Sequence, residues 1–240
     1  MKIIDAFWEK RNLGVDCKEI IIEKTDTLDE IHKIFQNLNP NQYIVVKVPT
    51  GSFEINDFLS KLGFTFVECS LNLVINIKDL ILSPLQKRIN DDIHYYEMEK
   101  VDLDELFNEV NNGLFKTDRI FLDSYFTEEQ SSKRYINWIK DELNGKTKIY
   151  KIKYKNENIG FFSLKNIEEG IYYPFLAAIY SKFSNSGLGF TLLSKPTEEL
   201  ILNNGKKLIT FVSSNNLPII RTHLDLGFRI NELQYVYTKH

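Results

Sequence analysis

Residues 179–190, Ile179-Tyr180-Ser181-Lys182-Phe183-Ser184-Asn185-Ser186-Gly187-Leu188-Gly189-Phe190, join a hydrophobic run to a helical one and carry two glycines one residue apart. Gly187 and Gly189 can take backbone conformations that other residues avoid, so main-chain N–H groups can crowd together there. The helix that follows adds its positive N-terminal end. A turn of this composition holds a phosphate or pyrophosphate, and it equally suits a glycine turn that does no more than start a helix. Two better-known phosphate loops are excluded. A dinucleotide fingerprint needs glycine where Leu192 stands, and the complete P-loop pattern occurs nowhere.

The periodicity around this turn sets the fold class. The run before it ends the third of three expected strands, over 147–154, 158–165 and 170–180, separated by Asn-rich and Glu-Glu-Gly turns. After it come a helix over 187–203, a strand over 207–212, a helix over 216–226 and a strand over 228–237. Ahead of the strands, Leu103, Leu106, Phe107 and Val110 mark one helix and Tyr135, Trp138, Ile139 and Leu143 another, with a long irregular segment over 111–127 between them. The order α-α-β-β-β-α-β-α-β predicts a mixed α/β (α+β) fold whose central sheet is mostly antiparallel and flanked by helices.

The first third reads as a βαβ-like fragment. Leu28, Ile31, Ile34, Phe35 and Leu38 recur at helical spacing behind the cap candidates Asp26 and Thr27. A strand over 43–48, a helix over 54–62 and a strand over 64–77 follow. Ser83-Pro84 and the charged stretch 86–92 place a boundary, dividing the chain into 1–85 and 93–240. Adding 164 to the numbering aligns Val48 with Val212 and Leu62-Gly63-Phe64 with Leu226-Gly227-Phe228, which suggests two copies of one half-domain and equally suits an α/β chain whose helices each end in glycine. The first copy has Ser52 opposite Asn216, Leu59 opposite His223 and no Gly-x-Gly turn, so it reads as structural.

These motifs carry a resemblance. The strand ending at Ile179, the loop Ser184-x-x-Gly187-x-Gly189, then Asn216, His223 seven residues on and Gly227-Phe228 resemble the coenzyme A motifs of the GNAT superfamily of N-acyltransferases, over roughly residues 93–240. The N-terminal part then reads as a smaller, partial GNAT-like α/β domain. The chain is further similar to sugar-nucleotide N-acetyltransferases of the TDP-fucosamine acetyltransferase type. Phe58-Leu59-x-x-Leu62-Gly63-Phe64, Phe115-x-x-Asp118-Arg119-x-x-x-Asp123-x-Tyr125-Phe126 and Tyr135-x-x-Trp138-Ile139 carry that likeness. The family's usual Gln or Arg is Ser184 here, its usual Tyr is His223, and Pro196 falls inside the helix after the loop.

The resemblance implies acetyl-CoA as co-substrate and direct transfer of the acetyl group to a primary amine. It assigns coenzyme binding to Leu176, Ala177, Ala178 and Ile179 on the strand, to Ser184, Asn185, Ser186, Gly187, Leu188, Gly189 and Phe190 in the turn, and to Asn216. Asn216 is equally explained as a helix cap. His223 is the candidate acid for the departing thiolate, since its unperturbed pKa lies near neutrality; a histidine near a helix C-terminus reads as well. For an acceptor, Arg119 is the candidate to hold a phosphate and Tyr125 or Phe126 to stack on a base, all three doubling as packing residues. No general base stands out: Glu168 and Glu169 read first as solvated loop acids.

Composition narrows the partners. The 30 basic and 33 acidic residues of this 240-residue chain give −3, but residues 1–144 carry 17 and 26 (−9) and 145–240 carry 13 and 7 (+6). The basic part is therefore the host for an anionic ligand. Lys146, Lys148, Lys151, Lys153 and Lys155 read as a strand's polar face rather than a nucleic-acid stripe. Two cysteines without motif spacing, no signal peptide and no bilayer-length apolar run point to a cytoplasmic protein that binds neither membrane nor metal. A homodimer stays an open expectation. The acceptor is expected to be a nucleotide-linked amino sugar. The rivals are a peptide, polyamine or antibiotic amine, and a non-catalytic acyl-CoA-binding module.

Overall fold

The computed structural model describes residues 1–39 and 41–240. It opens with β1 (Lys2–Asp5), α1 (Trp8–Leu13), β2 (Cys17–Ile21) and α2 (Leu28–Gln36). Then come β3 (Tyr43–Pro49), α3 (Phe53–Lys61), β4 (Thr65–Asn76), α4 (Pro84–Asp91) and β5 (Ile93–Glu97). Helices α5 (Lys100–Asn111), α6 (Arg119–Leu122) and α7 (Glu128–Asn144) precede β6 (Lys148–Tyr154), β7 (Glu157–Glu168), β8 (Ile171–Tyr173) and β9 (Ala177–Ile179). The chain continues through α8 (Thr191–Leu202), β10 (Lys207–Ser213), α9 (Leu217–Asp225) and β11 (Arg229–Lys239).

Local chemistry accounts for many of these boundaries. Thr27 caps α2 in a reciprocal capping box with Glu30. Lys155 and Asn156 both adopt left-handed backbone, at φ 49° and 66°, and so turn β6 directly into β7 as a two-residue hairpin. The charged stretch expected as a boundary is helix α4. Ser83 and Gln86 form its capping box, and Pro84 sits in the first turn, where its missing N–H is harmless. Asn90 then ties α4 to α8: its side chain accepts from Ser194 Oγ at 2.8 Å and donates to Glu198 at 2.6 Å, and its carbonyl accepts from buried Lys195 at 3.0 Å.

One mixed, mostly antiparallel sheet runs through the molecule in the order β1-β2-β3-β11-β4-β10-β8-β7-β6-β5, with β9 on β7. Among the described residues only β2·β3 and β8·β10 are parallel. Adding 164 to the bounds of β3 and α3 gives those of β10 and α9. The two repeats do not sit side by side. β4 lies between β10 and β11, and β11 lies between β4 and β3, so each repeat pairs its last strand with the first strand of the other. Helices cover both faces. Leu192, Leu193 and Leu200 of α8 pack on Leu71 and Leu73 of β4 and on Leu208 and Val212 of β10. Leu106 of α5 and Tyr135 and Ile139 of α7 close over Phe161 of β7 on another part of the sheet. Helices α2 and α3 add an apolar layer on β2 and β3 in which Ile31 and Leu59 are fully buried.

Candidate active site

The strand expected over 170–180 is broken in two, and the break opens the site. Its first piece, β8, pairs in parallel with β10 through Ile171–Lys207 and Tyr172–Leu208. Pro174 has no N–H for a ladder, and Ser163 draws the next residues away. Ser163 N–H and Oγ both donate to the Leu176 carbonyl, at 2.8 and 2.9 Å, and Ser163 Oγ accepts the Leu176 N–H at 2.8 Å. The second piece, β9, pairs with β7 alone. Strands β9 and β10 therefore diverge, leaving one edge of β9 open.

Alternation along an antiparallel strand sorts the backbone groups of that edge. Leu176, Ala178 and Tyr180 turn theirs toward β7, where Phe161 pairs with Ala178 and Ile159 accepts from Tyr180 N–H at 2.9 Å. Ala177 and Ile179 turn N–H and C=O the other way. Of the four strand residues expected to meet a coenzyme, these two have free backbone groups. Gly160 lets β9 approach this closely: a Cβ there would stand 2.3 Å from the Ala178 carbonyl oxygen.

The divergence leaves a cleft of about 330 Å³ that reaches both faces of β10. Val212, packed in the α8 core, and Phe211, edge-on to Tyr173, both line it. His223 and Asn216 of α9 line it as well, together with Glu68 of β4, Arg119 of α6 and Trp138 of α7. No sequence signal singled out Glu68. It enters the cleft because β4 is inserted beside β10, and the nearest sequence clue is that it is the one acidic residue of that strand.

His223 is 2% exposed and lies edge-on to Phe228. Its Nδ1 stands 2.7 Å from the Ile219 carbonyl, an oxygen that can only accept, so Nδ1 carries the proton and Nε2 is a bare lone pair. Nε2 is buried and has no partner among the described residues. Burial pulls the pKa down to about 4, against the Ile219 bond that favours protonation. The imidazole is thus neutral near pH 7 and accepts a proton before it can give one. Asn216 caps α9, its side chain accepting from Ile219 N–H at 3.4 Å, and lines the cleft at the same time.

Strand β9 leads to the glycine turn. Asn185 and Gly187 take left-handed backbone, at φ 63° and 77°, and neither N–H finds an acceptor among the described residues. Ser184, Asn185, Ser186 and Gly187 face solvent, whereas Leu188 and Phe190 anchor the turn in the core and leave only their backbone for a ligand. A Cβ on Gly187 would meet nothing within 4 Å, and one on Gly189 only Thr222 Oγ1 at 4.0 Å. Helix α8 begins at Thr191 with no acidic residue in its first turn, so its positive end is uncompensated.

The other expected acceptor residues separate. Arg119 is at the cleft. Tyr125 and Phe126 do not line it: Tyr125 is 61% exposed and stacks on His240 at 4.0 Å, and Phe126 packs edge-on against Tyr43. The irregular segment that carries them contains a short helix, α6, capped by Asp118. Among the described residues no group of three or more His, Cys, Asp or Glu is placed to hold a metal ion, and no helix is long and apolar enough to cross a membrane.

No protein-family model matches the sequence, and no curated protein matches it. Solved structures do. A functionally unknown conserved protein from Staphylococcus epidermidis is similar over 96% of this chain and 88% of its own, with a TM-score of 0.62 at 13% identity. A GCN5-related N-acetyltransferase from Kribbella flavida matches over 93% and 81%, with a TM-score of 0.56 at 11% identity. A tandem GNAT protein from the clavulanic acid biosynthesis pathway matches over 94% and 75%, with a TM-score of 0.56 at 11% identity. The fold is that of the GCN5-related N-acetyltransferases.

Proposed function

We propose that the protein is an acetyl-CoA-dependent N-acetyltransferase that moves the acetyl group directly to a primary amine, with a nucleotide-linked amino sugar as the acceptor that the sequence resemblance favours. The observation that carries this reading is the open edge of β9, which runs from the two-faced cleft to the glycine turn. The amide groups of a pantetheine arm can pair with the free N–H and C=O of Ala177 and Ile179 as an added strand would. The N–H groups of Asn185 and Gly187 and the start of α8 then receive the pyrophosphate.

The chemistry needs a neutral amine, donors for the oxyanion and a proton for the leaving thiolate. His223 serves the last step as a carrier. Its bare Nε2 takes a proton from the nitrogen of the tetrahedral adduct and passes it to the sulfur as the C–S bond breaks. The resting tautomer excludes donation first. Residues 1–85, a copy without a glycine turn, complete the sheet in this reading, and the likeness to a tandem GNAT protein supports a partial second copy.

Acetyl-CoA titration followed by melting temperature tests the binding claim. A ligand that binds only the folded state, present at a hundred times its Kd, stabilises by about 2.7 kcal/mol. A melting temperature unmoved by acetyl-CoA would remove the reading. Free-thiol release with a panel of amines then reports transfer.

A further inference from the structure

The wall of the cleft formed by β2, β3, β4, α6 and α7 is charged, and most of its charges are spoken for. Lys47 pairs with Glu19 at 2.6 Å, Arg134 with Glu9 at 2.8 Å, and Asp118 stands 3.8 Å from Arg134 while capping α6. Two groups have unmet capacity. Glu68, 9% exposed, has its Oε2 buried without a partner among the described residues. Arg119, also 9% exposed, binds Glu9 at 3.3 Å through Nη2 and leaves Nη1 buried and unpartnered. Both residues line the same cleft and do not pair with each other.

Buried polar atoms of charged groups left without a partner carry a desolvation penalty, and native structures avoid leaving them so. Glu9 and the Tyr43 ring account for the burial of Arg119 but not for its free Nη1, and no described neighbour meets Glu68 Oε2; one ligand with both signs of charge satisfies both. We propose that the amine acceptor is a zwitterion or amino-bearing anion, its ammonium group received by Glu68 and its carboxylate or phosphate by Arg119. Glu68 is then the catalytic base of the transfer, supplied by the half of the chain that lacks the glycine turn.

The inference rests on the transferase reading and completes its proton account. Ammonium N–H breaks and its proton moves to Glu68 Oε2, which frees the nitrogen lone pair. That pair forms the C–N bond at the thioester carbonyl while the π electrons move onto oxygen. Their return breaks C–S, and the second proton travels from nitrogen through His223 Nε2 to the thiolate. One amide, one thiol and one proton held by Glu68 result. Burial raises the pKa of Glu68, with the Ser213 hydroxyl, Arg119 and Lys47 opposing and Asp118 adding to the rise, which brings the carboxylate closer to the basicity this step requires.

Arg119 also holds Glu9, so the anion half is tested on the acceptor and the base half on the protein. Thiol release is followed for the full chain with amino acids, with amino-sugar nucleotides, with the amides or esters of the same amino acids, and with polyamines. Turnover with amino acids or with amino-sugar nucleotides, and at least a hundredfold lower kcat/KM once the anion is masked or absent, is the expected result; which of the two turns over identifies carboxylate or phosphate. Glu68→Gln is expected to lower kcat at least a hundredfold, with acetyl-CoA affinity by calorimetry unchanged. Equal handling of anionic and anion-free amines, including turnover of neither, overturns the proposal while acetyl-CoA still binds, as does an active Glu68→Gln. Failure of acetyl-CoA to bind overturns the transferase reading instead.

Discussion

His223 couples the stability of the fold to pH. Its pKa falls on folding from about 6.5 to about 4, so between those values the unfolded chain binds the proton more readily than the folded one. Stability therefore rises with pH through this window and is complete above it. From pH 7 to pH 4 the protein should lose about 3 kcal/mol more than a His223→Phe variant does, measured by urea unfolding at each pH. Parallel profiles would mean that the ring is not held neutral. Gly187 gives a second expectation at this scale. Valine at its φ of 77° is strained by roughly 1–2 kcal/mol, yet no atom lies within 4 Å of the new Cβ. Gly187→Val should keep the fold and weaken acetyl-CoA binding at least tenfold by calorimetry. The position of His223 was legible from its seven-residue spacing after Asn216; its tautomer was not, because the Ile219 carbonyl that fixes it is placed only when α9 winds. Glu68 was illegible altogether, since its neighbour Ser213 belongs to a strand far along the chain.

Among the elements, β9 is the one whose position matters most to the cleft. Gly160→Ala would put a methyl group 2.3 Å from the Ala178 carbonyl oxygen, a backbone atom that cannot swing aside. The variant should shift β9 toward β10, narrow the cleft and reduce acetyl-CoA affinity at least tenfold, with a lower melting temperature; unaltered affinity would separate β9 from the coenzyme. Helices and strands with a clean period, such as α2, β3, α7 and α9, fell within a few residues of expectation. Pro174 alone did not reveal the division of 170–180, because the partner that draws the chain away, Ser163, is an ordinary serine in an apolar strand. Helix α4 was hidden for the opposite reason: its capping box and its α8 contacts stabilise a stretch that offers only Leu85 and Ile89 as large apolar side chains.

The exchange of last strands makes the whole molecule one sheet. Residues 1–85 made alone would leave β4 without β10 and β11, and residues 93–240 alone would leave those two strands without β4 between them. Neither piece should show a cooperative unfolding transition by circular dichroism, whereas coexpression should yield a complex that does. Cooperative unfolding of either piece alone would show that the division at 86–92 separates independent units. The paired elements of the repeat were visible from the 164-residue offset, but their interleaving was not, because pairing order is decided by contacts between distant residues.

That interleaving also orders events during synthesis. Cys69 on β4 bonds through its backbone to Ser214, 145 residues later. At roughly 5–20 residues per second, β4 waits on the order of ten seconds outside the ribosome with both flanking positions vacant. Its polar residues Glu68, Ser70 and Asn72 then guard a strand edge against foreign pairing, so the carboxylate proposed as the base of the folded protein also protects the nascent chain.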